Sequence, residues 1–285
     1  MAAALSIHAE RRLTSGPAVD LRPNWDADGR SVVFERQEGG RSRLYRVAAG
    51  GGAPVALGAC NQGAETVQGR PAFFGLDDFA FVSGRGGRLA LWRHRAGAVA
   101  PVTAPDGEGR DYGPAAFPGS ARLLFFSDRA GPGGVQLFEA GPEDGADVRA
   151  LTKAPGQSDQ PWPVPGTDAA VFHSDRDGAD AVWRLDRATG EASRLTPGGE
   201  SEGTAYVTPF PSPDGAYVAF GREVDGDLQI WTMRLDGTGR QPLVTGDASF
   251  PAWSPDGRSL AFVRGRPTAD AGPSGDVWTA SVVVP

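Results

Sequence analysis

One short pattern occurs six times along the chain, and this repeat constrains the fold more than any other feature. Each copy opens with a proline and reaches a phenylalanine ten or eleven residues later. The prolines are Pro23, Pro71, Pro114, Pro161, Pro209 and Pro251, and the phenylalanines are Phe34, Phe81, Phe125, Phe172, Phe220 and Phe262. An aliphatic-aromatic pair follows each phenylalanine, as in Leu91-Trp92 and Val277-Trp278. Three markers in register identify an internal repeat with a period of 42 to 48 residues.

The pattern inside each copy decides between helices and strands. A period of this length suits four short strands, or the two helices of HEAT and armadillo repeats. Runs such as Val32-Val33-Phe34 are short and bounded by turn residues, as strands are. The 41 glycines and 24 prolines among 285 residues would break helices throughout. Four strands per copy, arranged radially, predict an all-β fold, a six-bladed β-propeller with four-stranded blades.

The repeat assigns residues 1–285 to a single propeller domain. The blades are predicted at about 20–57, 67–103, 111–152, 158–196, 205–244 and 248–284. Residues 4–14 end in Leu13-Thr14, as fourth strands do at Leu151-Thr152 and Leu195-Thr196, yet no blade precedes them. The last copy ends after its third strand. The N-terminal strand is therefore predicted to complete the last blade, which closes the ring and removes exposed sheet edges.

The sequence around the repeat proline and phenylalanine follows the motif P-x-W-S-P-D-G-x-x-[LIV]-x-F, with S-D-R and a closing L-T further on. The matches include Ser254-Pro255-Asp256-Gly257, Ser212-Pro213-Asp214-Gly215 and Ser127-Asp128-Arg129, while copies two to four depart at the first turn. The motif resembles the WD40-like repeat of TolB-type six-bladed propellers over nearly the whole chain. The resemblance to TolB proteins of the Tol–Pal system is limited to the propeller. It implies the fold and leaves function open, because such propellers serve as docking platforms, enzyme gates and catalytic scaffolds.

Charge and composition bear on partners and compartment. The 28 basic and 35 acidic side chains give a formal charge of −7, which argues against a nucleic acid or an anionic membrane as the main partner. Cys60 is the single cysteine, so no intramolecular disulfide forms. The N-terminus lacks the features of a signal peptide, and no apolar run approaches the ~18 residues of a membrane span. We expect a cytoplasmic monomer without membrane insertion, or a periplasmic or secreted protein if a leader has been removed.

Three features suggest chemistry but are better explained as structure. Residues 199–203 spell G-x-S-x-G, yet they lie in a loop between blades rather than between a strand and a helix. The acidic glycine turns at 175–180 and 223–227 are typical of hairpins, with a surface calcium site as the alternative. His94 and His173 lie on strands, where packed and hydrogen-bonded roles are expected, and no spacing supports zinc. No cofactor is predicted, calcium being the alternative.

The candidate site follows from propeller geometry. The first strand of each blade enters from the face formed by the fourth-to-first and second-to-third connections, so residues just before each repeat proline should surround the mouth of the central channel. The candidate ligand-binding residues are Asp20, Arg22, Gln68, Arg70, Asp111, Tyr112, Asp159, Gln160, Tyr206, Thr208 and Phe250. The second-to-third turns should bring further arginines around them, namely Arg36, Arg85, Arg129, Arg176, Arg222 and Arg264. Polar groups that converge on a concave mouth indicate a binding site, with a water-filled channel as the alternative.

These residues predict a non-catalytic module that binds a protein segment or small ligand at the mouth. The alternative is an enzyme of lyase, hydrolase or cyclase type in the same funnel, since six-bladed relatives include such enzymes. Relatives that resemble calcium lactonases hold the metal with Glu, Asn and Asp, whereas here only Asn24 and Asn61 are available, and only Asn24 lies on a first strand.

The order of charges around half the mouth predicts a dipolar pocket. Arg22 and Arg70 precede Asp111 and Asp159 on consecutive blades, which suits a ligand with a carboxylate or phosphate at one end. The competing interpretation is that each arginine pairs with an aspartate, which would leave no group free for a ligand.

Overall fold

Twenty-four strands and one short helix account for the regular structure in the described part of the chain. The computed structural model describes residues 5–62, 67–105, 107, 109–117, 119–131, 133–141, 143, 147–197, 206–265 and 275–284. The strands pair into six four-stranded antiparallel sheets. The predicted six-bladed propeller is confirmed.

Each blade runs outward from an inner first strand to a short fourth strand. The inner strands are β2 (Val19–Trp25), β6 (Gln68–Gly75), β10 (Asp111–Ala115), β14 (Ser158–Pro163), β18 (Tyr206–Pro211) and β22 (Ala248–Trp253). The second strands are β3 (Ser31–Glu38), β7 (Asp78–Ser83), β11 (Leu123–Ser127), β15 (Ala169–Ser174), β19 (Tyr217–Val224) and β23 (Ser259–Arg264). The third strands are β4 (Arg41–Ala48), β8 (Ala90–Arg95), β12 (Gln136–Ala140), β16 (Ala181–Asp186), β20 (Asp227–Arg234) and β24 (Asp276–Val283). The outer strands are β5 (Val55–Ala56), β9 (Ala98–Pro101), β13 (Arg149–Ala150), β17 (Ala192–Arg194), β21 (Gln241–Val244) and β1 (Ser6–Arg12), and α1 (Gly58–Asn61) follows β5.

The N-terminal strand completes the last blade, as predicted. β1 pairs antiparallel with β24, so the strand order of this sheet is β1-β24-β23-β22. Most side chains of β1 face solvent, but Leu5 and Leu13 on either side of the strand are 5% and 6% exposed. The two leucines and the backbone ladder therefore hold the closing strand in place.

The repeat markers are explained by cross-strand packing in the blades. All six repeat phenylalanines are fully buried. Each lies opposite the aromatic residue of the third-strand marker in the same blade, as Phe81 lies opposite Trp92 and Phe262 opposite Trp278. Aromatic cross-strand pairs of this kind contribute roughly 0.2–1 kcal/mol each beyond an alanine pair.

The leucine-threonine motif is a backbone cap. The threonine hydroxyl accepts a hydrogen bond from the first residue of the third-strand marker, over 2.9 to 3.0 Å in four blades. The pairs are Thr103 with Leu91, Thr152 with Leu137, Thr196 with Val182, and Thr14 with Val277. In the first blade the Asn61 amide bonds both backbone groups of Leu44 instead, at 3.0 and 2.9 Å. The motif therefore satisfies a buried N–H group where the outer strand ends.

The helical content of the described residues includes no segment long and apolar enough to cross a membrane.

Candidate functional site

Every inner strand has a bulge at its repeat proline. The pairing register between the first and second strands shifts there in all six blades. The residue before each proline adopts a left-handed φ of 50° to 55°. These residues are Arg22, Arg70, Gly113, Gln160, Thr208 and Phe250, which we call the mouth ring. Proline donates no backbone hydrogen bond, so it is tolerated where the ladder is interrupted. The bulge removes the proline and the residue before it from the ladder and directs the side chains of the mouth ring toward the channel.

The mouth ring surrounds one narrow cavity on the channel axis. The cavity measures about 70 Å³ and is lined by all six ring residues together with repeat prolines. Trp162 and Phe210 form its floor with their ring centroids 3.9 Å apart, and Asn24 lies beside them. The same three residues also line a second, apolar cavity of about 260 Å³ toward the opposite face. The channel is therefore divided into two vestibules.

The predicted site residues separate into two groups. Arg22, Arg70, Gln160, Thr208 and Phe250 belong to the mouth ring and line the cavity. The others lie two or three positions before their proline and do not line it, namely Asp20, Gln68, Asp111, Tyr112, Asp159 and Tyr206. Regular strand alternation and the bulge together explain the difference, because only the residue in the bulge leaves the sheet.

The predicted dipolar pocket does not form, because the acids are engaged within their own blades. Arg36 donates two hydrogen bonds of 2.7 Å to the Asp20 carboxylate. Asp111 accepts a 2.6 Å hydrogen bond from Arg129 Nη2. The Asp159 carboxylate lies 2.8 Å from His173 Nδ1. The competing interpretation, in which acids neutralise the mouth arginines, holds in part: Arg22 pairs with the Glu35 carboxylate, whereas no described carboxylate pairs with Arg70.

The remaining candidates are packed within the blades, outside the lining of the cavity. Gln68 is fully buried, and neither amide atom has a hydrogen-bond partner in the described structure. Tyr206 is 1% exposed and packs near Phe220. Tyr112 stacks on Phe126 with centroids 5.3 Å apart, and burial raises the pKa of its hydroxyl.

The second-to-third arginines pack over aromatic side chains of the blades. In five blades the guanidinium lies over both aromatic residues of the buried cross-strand pair, at 4.8 to 5.8 Å from each ring centroid. Arg222 in the fifth blade lies over Tyr206 and Trp231. Each contact is worth about 0.5–2 kcal/mol. These arginines therefore cover the ends of the blade cores.

Arg70 carries the least compensated charge at the mouth. No carboxylate of the described residues lies within ion-pair distance of its guanidinium, which packs over the Phe126 ring at 5.5 Å. Burial and then the like charge of Arg22 lower the pKa of Arg70 to about 10, against the opposing effect of Glu35 and Asp159. Arg22 is itself neutralised by one 3.0 Å contact from Nη1 to Glu35 Oε2.

Other polar atoms of the mouth ring also lack partners. Arg22 Nε, Gln160 Oε1 and Thr208 Oγ1 are buried, and none forms a hydrogen bond within the described residues. Unpaired buried groups of this kind cost about 1–3 kcal/mol each. The sequence-predicted candidates include five of the six ring residues, all except Gly113, but the sequence gives no sign that these buried polar atoms lack partners.

The structure bears on the acidic turn and the two strand histidines, but not on the G-x-S-x-G segment. The G-x-S-x-G segment at 199–203 lies outside the described residues. In the acidic turn at 175–180, Asp175 accepts a hydrogen bond from Gln157 N, Asp177 pairs with Arg194, and Asp180 lies 2.8 Å from His173 Nε2. Both strand histidines are buried, and His94 stacks on Phe79, but Nδ1 of His94 has no hydrogen-bond partner among the described residues.

Metal ligation is not apparent at the channel. The Asn24 amide donates to Pro71 O and accepts from Trp25 N, so both of its functions are used. Across the described ranges, no group of three or more His, Cys, Asp and Glu side chains is arranged to hold a metal ion.

Comparison with known proteins agrees with this architecture. The TolB β-propeller domain family matches residues 103–268, more than half of the chain. An uncharacterized protein from Agrobacterium fabrum is 29% identical over 127 residues, which are 43% of this chain and 41% of that protein. The match therefore spans less than half of the curated relative.

Solved structures share the fold at low identity. A protein from Agrobacterium tumefaciens assigned to TolB superposes with a TM-score of 0.69 at 18% identity, covering 99% of both chains. A gluconolactonase from Xanthomonas campestris gives 0.66 at 12% identity over 96% of this chain and 89% of its own. An oligogalacturonate lyase in complex with manganese gives 0.59 at 13% identity over 99% and 97%. At these identities the similarity establishes the fold alone, and the neighbours include both TolB proteins and enzymes.

Proposed function

The chain belongs to the TolB β-propeller family, and on that premise we propose that it is a non-catalytic recognition module whose mouth ring binds a protein segment or a small ligand. The observation that carries the proposal is an arginine without a carboxylate partner at one narrow cavity lined by all six ring residues. Arg70 faces the cavity without a carboxylate partner among the described residues, and buried polar atoms of Gln160 and Thr208 beside it have no hydrogen-bond partner there. An anionic group in the cavity would supply the missing counter-charge to Arg70.

The backbone at the ring supports a role beyond packing. A left-handed conformation costs an L-residue about 1–2 kcal/mol, whereas glycine adopts it freely. Gly113 occupies the position in the third blade, so the bulge itself needs no side chain. The other five blades carry side chains there in spite of the strain. Strain that persists in side chains facing a cavity is typical of functional sites.

An enzyme in the same funnel is the alternative proposal. His173 is the side chain nearest in chemistry to a general base, because it contacts the Asp159 carboxylate beside the mouth. Its two ring nitrogens each lie 2.8 Å from a carboxylate, and the residue is 8% exposed. A base needs a free nitrogen within reach of the substrate proton, so this arrangement favours binding without catalysis.

Blocking the mouth with a covalent label tests the proposal. Cys60 is buried, and burial raises the pKa of its thiol to about 12, so a new cysteine is the reactive one. Phe250→Cys places a thiol in the mouth ring, and a bulky maleimide there should close the cavity. Thr238→Cys places the same label on an exposed turn at the other end of the fifth blade.

Both labelled variants are screened with the wild type against peptides and small acidic and neutral metabolites, by melting temperature. We expect ligands that stabilise the wild type and the Thr238 variant and lose their effect on the labelled Phe250 variant. Ligands indifferent to the mouth label would contradict the proposal. Chemical conversion of a bound ligand, followed by NMR, would support the enzyme instead.

A further inference from the structure

Building on the proposed function, we propose that the mouth ring selects ligands that end in a compact carboxylate, with Arg70 as the principal anchor. Most buried or half-buried arginines of the described structure are neutralised. Arg36 and Arg93, for example, each reach both oxygens of an aspartate at 2.7 Å. Arg70 differs because its guanidinium faces the cavity without such a partner.

The surroundings of Arg70 hold its guanidinium ready for an anion. It lies over Phe126, which also stacks on Tyr112. A Cβ at Gly113 would overlap the Phe126 ring, so glycine in the third blade leaves room for this aromatic platform. A planar guanidinium fixed on an aromatic face presents its N–H groups in one plane, which matches the two oxygens of a carboxylate.

The charge balance favours a single negative charge. Arg22 and Glu35 form an ion pair, and Gln37 Nε2 donates a further hydrogen bond to Glu35 Oε1 at 2.8 Å. Asp159 is held by His173. Arg70 therefore contributes one uncompensated positive charge, which suits a carboxylate better than a phosphate dianion.

The dimensions favour an end group rather than a ring or the middle of a chain. A cavity of about 70 Å³ has room for a few non-hydrogen atoms. The Trp162–Phe210 pair blocks deeper entry at a centroid distance of 3.9 Å. Thr208 and Gln160 also line the cavity, and the buried Thr208 Oγ1 and Gln160 Oε1 have no hydrogen-bond partner among the described residues. The rest of the bound ligand must extend out of the cavity through the mouth.

Matched probes test the anchor. Alanine tripeptides with a free acid or an amide at the C-terminus, acetate, propionate and inorganic phosphate are titrated by NMR into the wild type, Arg70→Met and Arg41→Met. Arg41 is exposed at the start of β4, next to the second-to-third turn of the first blade and on the same face of the disc. Its substitution removes the same charge outside the cavity.

We expect acid-terminated probes to bind the wild type and Arg41→Met. Their affinity should fall roughly tenfold or more in Arg70→Met, and the amide-terminated peptide should bind the wild type roughly tenfold or more weakly than the free acid. Arg70→Met should melt no lower than the wild type, because it removes an unpaired, partly buried charge. Binding of acid peptides alone identifies a peptide C-terminus as the source, and binding of acetate or propionate as well identifies small acids.

Three outcomes would overturn the proposal. These are equal binding of acid and amide, acid binding unaffected by Arg70→Met, and phosphate binding tighter than carboxylate. If ligands are still displaced by the label at position 250 while acid and amide bind equally, the mouth remains the binding site and only the carboxylate specificity fails.

Discussion

Carboxylates face both ring nitrogens of His173 and favour its protonated form. Asp159 and Asp180 each lie 2.8 Å away, and both contacts are hydrogen bonds only when both nitrogens carry a proton. Burial alone would lower the pKa of His173, but the two carboxylates outweigh burial and raise it above the ordinary value of 6.5. The two carboxylates therefore favour the protonated form of this buried side chain, which links the mouth wall to the surface.

This cation makes stability depend on pH in a stated direction. Since the folded pKa exceeds the unfolded one, the stabilisation is fully present below about pH 6.5 and is lost as the pH rises through the folded value. His173→Gln should therefore cost most near about pH 6, on the order of 1.5–3 kcal/mol, and least near about pH 9. Urea unfolding of both proteins across this range measures the difference. Asp180→Asn should flatten the dependence, and a constant difference would contradict the assignment.

Gly69 shows how closely neighbouring blades approach at the residue scale. A Cβ on this residue would overlap the Glu35 carboxylate of the preceding blade. Only glycine lets Glu35 lie against the second blade, where its carboxylate reaches Arg22. Arg22 is thus neutralised, and Arg70 left without a carboxylate partner, because of a contact between blades that the sequence motifs do not predict.

At the scale of the element, one threonine hydroxyl caps the outer strand in each of four blades. Thr14 and Thr103 accept the same hydrogen bond in the closing blade and in an internal blade, from Val277 N and Leu91 N. Replacing either by isosteric valine leaves a buried N–H group without an acceptor, at a cost of about 1–3 kcal/mol. If β1 is an ordinary outer strand, Thr14→Val and Thr103→Val should lower the free energy of unfolding by similar amounts. A negligible cost at Thr14 alone would show that the closing strand is weakly held.

The strands were predictable from the repeat, whereas the bulge at each repeat proline was not. Turn motifs and buried phenylalanines recur at fixed offsets, so six blades and the role of residues 4–14 follow from spacing. The position of a side chain at the mouth depends instead on a one-residue shift in register. Asp20 and Arg22 are two residues apart and would share a face of a regular strand, yet the bulge turns only Arg22 into the cavity. The ion pairs that remove Asp111 and Asp159 from the site are tertiary contacts, which one sequence does not reveal.

The whole molecule is a ring whose two ends are joined by non-covalent contacts alone. Ion pairs flank the junction, with Arg12 bonded to Asp276 and Arg264 to Glu10, both at 2.6 Å. Both pairs are partly exposed, so each contributes little. The apolar anchors Leu5 and Leu13 contribute more, at about 1.5–3 kcal/mol for each buried side chain.

Removal of the closing strand is therefore expected to unfold or aggregate the protein. The two leucines alone account for roughly 3–6 kcal/mol, against a typical total stability of about 5–15 kcal/mol. Deletion of residues 1–14 also exposes the edge of β24, whose backbone N–H and C=O groups then invite pairing with other chains. We expect a large fall in melting temperature or oligomers in sedimentation, while a chain that lacks only residues 1–4 keeps all of β1 and serves as the control. A synthetic peptide of residues 5–14 should restore part of the lost stability, because the vacant edge is its binding site. A truncated chain that stays monomeric and melts like the full one would show that the ring does not need its closing strand.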